Sequence, residues 1–395
     1  MQLLHDYVNR RGDSRRPLRV LFLSYHPAHY RDATLSVIQQ SRVVELDVAY
    51  LFESADYWHP YWQAGSSVLE YSVLKTWLTG SPNRHFCPAV IARVAMNDVV
   101  FVTGLTHWTS RLALAASLSL ARPLVFVSDM TAASVSPRQR AMMRALSRVV
   151  SAVWVPGKAS KSLWIEEGLP SDRVFEGCYC LDASDLRRKQ DEHPEWREDQ
   201  RHALGVDVDD PVALFVGRMV AQRDIPCLLT SFDIASKSVP RARLVVVGAG
   251  PLRSWAEEFC RLRGLSGVTF VDPMRYEELP PLYAAADVYI QPSSLEPYSL
   301  SAAQAATMGL PVVSSDAVGA AADYVVDGVT GLLVRSGDSK AMSDALCRLL
   351  TDLGAAAKMG ESARQLAAGR SVEWAAREFV RAALKAGDLR VEAVS

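Results

Sequence analysis

Glu296 is the residue of this 395-residue chain around which most chemistry gathers. It lies in the turn Pro292-Ser293-Ser294-Leu295-Glu296-Pro297. An apolar run, Asp287-Val-Tyr-Ile290, precedes that turn; a small-residue stretch, then Gly309 and Pro311-Val-Val313, follow it. The order predicts strand, turn, helix and strand, with Glu296 at the mouth of a parallel sheet. The backbone N–H groups of Tyr298, Ser299 and Leu300 would open the helix. Free N–H groups and the positive end of the helix dipole suit a phosphate. A carboxylate beside such a seat is better suited to sugar hydroxyls than to the phosphate, since like charges repel. A nucleotide-sugar is the ligand class that needs both.

Two further turns follow apolar runs. Phe215-Val-Gly217-Arg218 continues through Met-Val-Ala-Gln to Arg223, and Val247 is followed by Gly248-Ala-Gly250. Gly217 lets the backbone turn tightly after a strand. Taken alone, Arg218 and Arg223 read as solvated loop residues, and a Gly-x-Gly is common to many α/β turns.

Together these segments resemble the signature of the family 4 retaining glycosyltransferases of the GT-B fold. In that family two glutamates eight positions apart flank a Phe-Gly step and precede Ala-Met-Ala and a Gly-x-Pro-Val-Val strand. Here the first is Glu296, the second position is Gln304, and the step reads Tyr298-Ser299, continuing Ala305-Ala-Thr-Met308-Gly309-Leu-Pro311-Val-Val313. The resemblance implies that Gln304 stands where a carboxylate binds the ribose hydroxyls; it offers hydrogen bonds without charge. It implies that Gly217, Arg218 and Arg223 grip the donor diphosphate, Arg223 replacing the usual lysine with a forked donor. It also implies that Gly248 and Gly250 approach the donor sugar and ribose, with Glu296 holding sugar hydroxyls as the principal catalytic residue. Asp272 replaces the glycine expected near the base. The likeness is strong over 205–340 and loose over 17–185.

Candidates for the acceptor side lie in the first half. His26, His29, Tyr30 and Arg31 cluster in a strand-to-helix loop, and His107 lies in another. Asp129 follows the run Leu124–Ser128, where many family members carry a histidine facing the donor sugar; Asp129 and His29 are the catalytic candidates on this side. The aromatics Tyr57, Trp58, Tyr61, Trp62, Tyr71 and Trp77 have no clean period and read as packing in an irregular excursion.

The elements that must hold these residues alternate between strand and helix. Strands are predicted at 18–24, 43–50, 99–103, 123–128, 152–156 and 174–180, then at 213–216, 243–247, 268–271, 288–291 and 311–314. The polar stretch 183–209 makes the best boundary. The expected organisation is a flexible leader over 1–16, an acceptor-binding Rossmann-like domain over 17–185 and a linker over 186–210. A nucleotide-sugar-binding Rossmann-like domain over 211–370 follows. The resemblance implies that the helix over 371–395 crosses back to the first domain. The fold class is α/β: two doubly wound parallel sheets, GT-B, facing a central cleft. Asp327-Gly328 is a strong turn signal and marks a structural hairpin.

Composition narrows the function classes. With 49% hydrophobic and 22% charged residues the chain can bury ordinary cores. A net charge of −1 lacks the basic footprint of a nucleic-acid binder. No apolar run reaches membrane-span length, and the arginine-rich first residues lack a signal-peptide core, though peripheral membrane contact is compatible with them. The six cysteines are scattered without metal or redox spacing, which favours the cytoplasm. Abundant arginine and alanine fit a bacterial source. The expected activity is metal-independent, cofactor-free transfer of a hexosyl-type sugar. The donor would be UDP-linked, GDP-linked or another nucleotide-sugar, and the acceptor a glycan, lipid-linked or small-molecule hydroxyl. A dinucleotide oxidoreductase is disfavoured because Tyr25-His-Pro-Ala-His stands where Gly-x-Gly-x-x-Gly belongs. A degenerate binding protein and a nucleotide-sugar epimerase remain as alternatives.

Overall fold

A computed structural model describes residues 16–53, 69–77 and 84–394, with side chains to residue 388. The aromatics of 54–68 and most of the expected leader lie outside the described residues; Arg16 is described and forms a bidentate pair with Asp98 at 2.8 and 2.9 Å. The chain divides into two compact units: residues 1–181 with 372–395, and Asp182–Ser371.

The first unit holds a seven-stranded parallel sheet. Its strands are β1 (Leu18–Ser24), β2 (Val44–Tyr50), β3 (Ser72–Val73), β4 (Val99–Thr103), β5 (Leu124–Val127), β6 (Ala152–Val155) and β7 (Val174–Glu176). They lie in the order β3-β2-β1-β4-β5-β6-β7, and helices make the described crossovers from β1 to β2 and from β3 through β7 that parallel pairing requires. Both faces are covered, so Val20–Leu23 of β1 is continuously apolar rather than alternating. Val20 and Phe22 point into one core with Phe101, Trp154 and Phe379; Leu21 and Leu23 point into the other with Val94, Ala113 and Trp164. Phe379 belongs to the long terminal helix Val372–Val394 and stacks on Phe101 at 4.1 Å. That helix is therefore a structural part of the first unit.

The second unit repeats the plan with β8 (Val212–Val216), β9 (Arg243–Val247), β10 (Val268–Val271), β11 (Val288–Gln291), β12 (Val312–Ser315) and β13 (Gly331–Val334). Their order is β10-β9-β8-β11-β12-β13, all parallel. The order reverses between β8 and β11, which makes the crevice beyond their carboxyl ends the natural ligand position. Phe215, Leu244, Val246 and Ile290 pack one face of the sheet against the helices Ile225–Ser238 and Ser339–Thr351.

Two expectations need correction. Residues 186–210 are not a linker: helices Ala183–Glu192 and Trp196–Ala203 occupy most of them and belong to the second unit. Arg201 fixes the second of these helices. It is 2% exposed and donates to the carbonyls of Ala285, Asp207, Val208 and Asp210 and to Asp287 Oδ2 at 2.8 Å. The expected hairpin after Asp327-Gly328 is also different. Gly328 does turn the chain at φ +76°, but Gly331–Val334 then pairs in parallel with β12 as the sheet's last strand.

Candidate functional site

The crevice of the second unit is built from two loops. The first follows β8 and runs from Gly217 to Arg223; the second follows β11 and runs from Pro292 to Ser299. Backbone hydrogen bonds join them, since Ser294 N–H and Leu295 N–H both donate to the Gln222 carbonyl, at 2.9 and 3.2 Å. Arg223 and Glu296 consequently meet as an ion pair whose side chains are 19% and 9% exposed. Burial lowers the Arg223 pKa to about 10, with Arg218 as a like-charged neighbour. Arg218 itself is exposed.

Glu296 is held from both sides. Its N–H donates to the Ala317 carbonyl at 3.2 Å and its own carbonyl accepts from Gly319 N–H at 2.9 Å. Glu296 Oε1 accepts from Tyr298 N–H at 3.4 Å, so that group is already directed at the carboxylate. Tyr298 is buried, and the helix proper runs Leu300–Thr307. Ser299 is its N-cap, with Oγ accepting from Ala302 N–H at 3.2 Å. Ser299 sits at φ +86°, where a side chain is disfavoured, which gives a physical reason for the glycine of the Phe-Gly step.

Behind these loops lies a polar network that sequence reasoning did not single out. Gln291, fully buried at the end of β11, donates to Ser293 Oγ at 2.7 Å and accepts from Tyr289 OH at 2.7 Å and Ser299 Oγ at 3.3 Å. The available signal was a glutamine closing an otherwise apolar buried strand beside the switch point. Gln304 is 2% exposed, and its Nε2 has no hydrogen-bond partner among the described residues.

Gly248 and Gly250 are required by the close approach of the protein's own backbone. At φ +138° and +153°, a Cβ on either would lie 2.0 Å from the Gly217 carbonyl or 2.5 Å from the Met219 carbonyl. They let two loops of the protein lie against each other, with Met219 N–H donating to Ala249 O at 2.8 Å. Asp272 is 94% exposed, 3.8 Å from Arg253.

At the carboxyl edge of the first unit's sheet, the acceptor candidates divide by burial. Arg31 is 4% exposed, donates to the His26 carbonyl at 2.9 Å and covers the rings of Phe22 and Tyr30. Tyr30 packs edge-on against Tyr179 at 4.6 Å, and Tyr179 OH donates to Asp129 Oδ2 at 2.9 Å. His107 is 1% exposed between Tyr25 and Phe52; burial and His85 lower its pKa to about 4. Arg31, Tyr30 and His107 thus support the loops from within. His26, His29 and Asp129 retain accessible surface, and burial holds the His29 pKa down at about 4. Tyr179 was missed because it lies after the last strand, distant in sequence from its partners.

Among the described residues, no group of three or more His, Cys, Asp or Glu side chains could hold a metal ion, and no helix is long and apolar enough to cross a membrane.

Residues 197–366, which carry the whole β8–β11 crevice, match the family described as Glycosyl transferases group 1. The alpha-D-kanosaminyltransferase of Streptomyces kanamyceticus is 27% identical over 227 residues, 57% of this chain and 58% of that protein. A D-inositol 3-phosphate glycosyltransferase of Corynebacterium urealyticum is 35% identical over 191 residues, covering 46% and 45%. The chain spans about half the length of the curated relatives it matches. Among solved structures, Anabaena Alr3699/HepE in complex with UDP and glucose aligns with a TM-score of 0.70 at 19% identity, over 92% of this chain and 98% of that one. Sucrose-phosphate synthase of Thermosynechococcus elongatus aligns at 0.64, with 19% identity over 91% and 97%. These likenesses show the fold, GT-B with two Rossmann-like units.

Proposed function

We propose that this protein, whose residues 197–366 match the group 1 glycosyl transferases, is a retaining glycosyltransferase moving a sugar from a nucleotide-sugar to an acceptor hydroxyl. One observation carries this reading. Arg223 and Glu296 are brought together at the switch point of the second sheet, with Arg218 nearby. The anomeric bond to the diphosphate breaks as the acceptor oxygen bonds to the same carbon. Negative charge then collects on the departing nucleoside diphosphate, where Arg218 and Arg223 stabilise it. Such preorganised charge is commonly the largest catalytic contribution. Glu296 accepts hydrogen bonds from sugar hydroxyls and fixes the ring, and Gln304 Nε2 donates to the ribose. His26, His29 and Asp129 of the first unit are the candidates for binding the acceptor. The reaction uses no metal and takes place in the cytoplasm.

The test is a panel of UDP-, GDP-, ADP- and dTDP-sugars read by thermal shift and by release of free nucleotide. At least one donor should stabilise the protein by mass action. With an acceptor present, that donor should be turned over, in excess EDTA as in buffer. Binding without any turnover would identify a binding protein instead. Failure of every nucleotide-sugar to bind would remove the proposal.

A further inference from the structure

The Arg223–Glu296 pair does more than place two ligand-binding groups side by side. Resting on the nucleotide-sugar reading, we propose that Glu296 is a specificity device that makes the site prefer an intact nucleotide-sugar over the free nucleoside diphosphate left after transfer. The geometry gives the reason. Arg223 is mostly buried, and its guanidinium is already engaged by the Glu296 carboxylate. The Gln222 carbonyl ties the two loops together at 2.9 and 3.2 Å, so the backbone carrying the carboxylate is held beside Arg223. The contacts to Ala317 and Gly319 hold it from the other side.

A diphosphate arriving at Arg223 therefore meets a fixed, half-neutralised cation with a carboxylate beside it. Either the phosphate displaces Glu296, or it shares the guanidinium and lies against a like charge. Both outcomes weaken binding, and around two mostly buried side chains the effect is larger than in water. A sugar on the diphosphate changes the balance, because its hydroxyls donate to the displaced carboxylate. Transfer removes that sugar and restores the unfavourable contact, which favours release of the product. Tyr298 N–H, directed at Glu296 Oε1 at 3.4 Å, only partly compensates a stranded carboxylate.

The sign of this effect separates it from a purely attractive site. The probe is the tightest-binding of UDP, GDP, ADP and dTDP, titrated calorimetrically into the full-length protein. Glu296→Gln removes the charge and keeps the shape, and should tighten nucleoside diphosphate binding by about fivefold to tenfold, the scale of one charge-assisted contact. Glu296→Ala should shift affinity in the same direction and guards against a folding defect peculiar to the glutamine variant. Arg223→Ala should weaken the same ligand. If both Glu296 variants bind the diphosphate no more tightly than the parent while Arg223→Ala loses it, the specificity role falls and the donor-site reading stands. If the parent binds none of the four nucleotides, both fall together.

Discussion

Exchanging Gln304 for methionine should make the empty protein more stable and the nucleotide site weaker. Gln304 Nε2 is buried without a partner among the described residues. An unsatisfied buried amide group costs about 1–3 kcal/mol, whereas a thioether of similar length has no such group to strand. Methionine and glutamine have nearly equal helix propensity, so the helix Leu300–Thr307 should persist. After allowing for imperfect packing, a gain of about 1–2 kcal/mol follows. For a unit the size of Asp182–Ser371, that raises the midpoint of thermal unfolding by roughly 2–8 °C. Nucleotide affinity should move the other way by about fivefold to tenfold, one ordinary hydrogen bond to a ribose hydroxyl. Gln304→Glu provides the contrast, with a less stable empty protein and donor binding held or improved. Scanning calorimetry without ligand and titration with the best nucleoside diphosphate measure both quantities. A methionine variant that melts lower, or binds nucleotide as well as the parent, refutes the assignment of Gln304 to the ribose.

Three other outcomes follow from particular contacts. Arg218→Ala should weaken nucleoside diphosphate binding by about 1.5–3 kcal/mol in a calorimetric titration, the scale of a charge-assisted hydrogen bond, without lowering the melting temperature. Arg201→Met should destabilise the second unit by about 3 kcal/mol in urea unfolding, because it leaves the carbonyls of Ala285, Asp207, Val208 and Asp210 without their donor and Asp287 with Arg197 alone as its cationic partner. His107 is held neutral, its pKa about 4 in the folded protein against an ordinary 6.5, so the unfolded chain binds the extra proton first. Stability from this group is complete above pH 6.5 and lost as pH falls toward 4. His107→Phe should flatten that acid limb in pH-dependent unfolding, and an unchanged slope would count against the buried neutral imidazole.

The strands were legible because buried parallel strands are almost continuously apolar, as Leu18–Leu23 and Leu244–Val247 are. The crevice was legible through Glu296, Arg218 and Arg223, whose spacing places them at the ends of two strands adjacent in the sheet. Their mutual contact was not, since a local pattern does not record which loops face each other. The helices over 183–203 read as a linker because their charges pair along the surface, as Lys189 does with Asp185 at 2.7 Å and Arg188 with Glu192 at 2.9 Å. The residue that anchors the segment, Arg201, is itself charged, so hydrophobic periodicity cannot mark it. The need for glycine at 248 and 250 was correctly read, but the atom that would have collided is the protein's own carbonyl. Burial separated Arg31 and His107 from His29, a distinction that residue type alone does not carry.

The placement of Phe379 sets an order of assembly during translation. The first sheet leaves the ribosome early, yet the face formed by Phe22, Phe101 and Trp154 is only partly covered, by Leu35 and Ile38, until the terminal helix has been made. The second unit is uninterrupted from Asp182 to Ser371 and can finish first. At ordinary elongation rates the wait lasts on the order of 10–40 s, long enough for exposed aromatic surface to invite aggregation. A nascent chain stalled before residue 372 should therefore engage chaperones through its amino-terminal half, and the helix from Val372 onward would release it when supplied in trans.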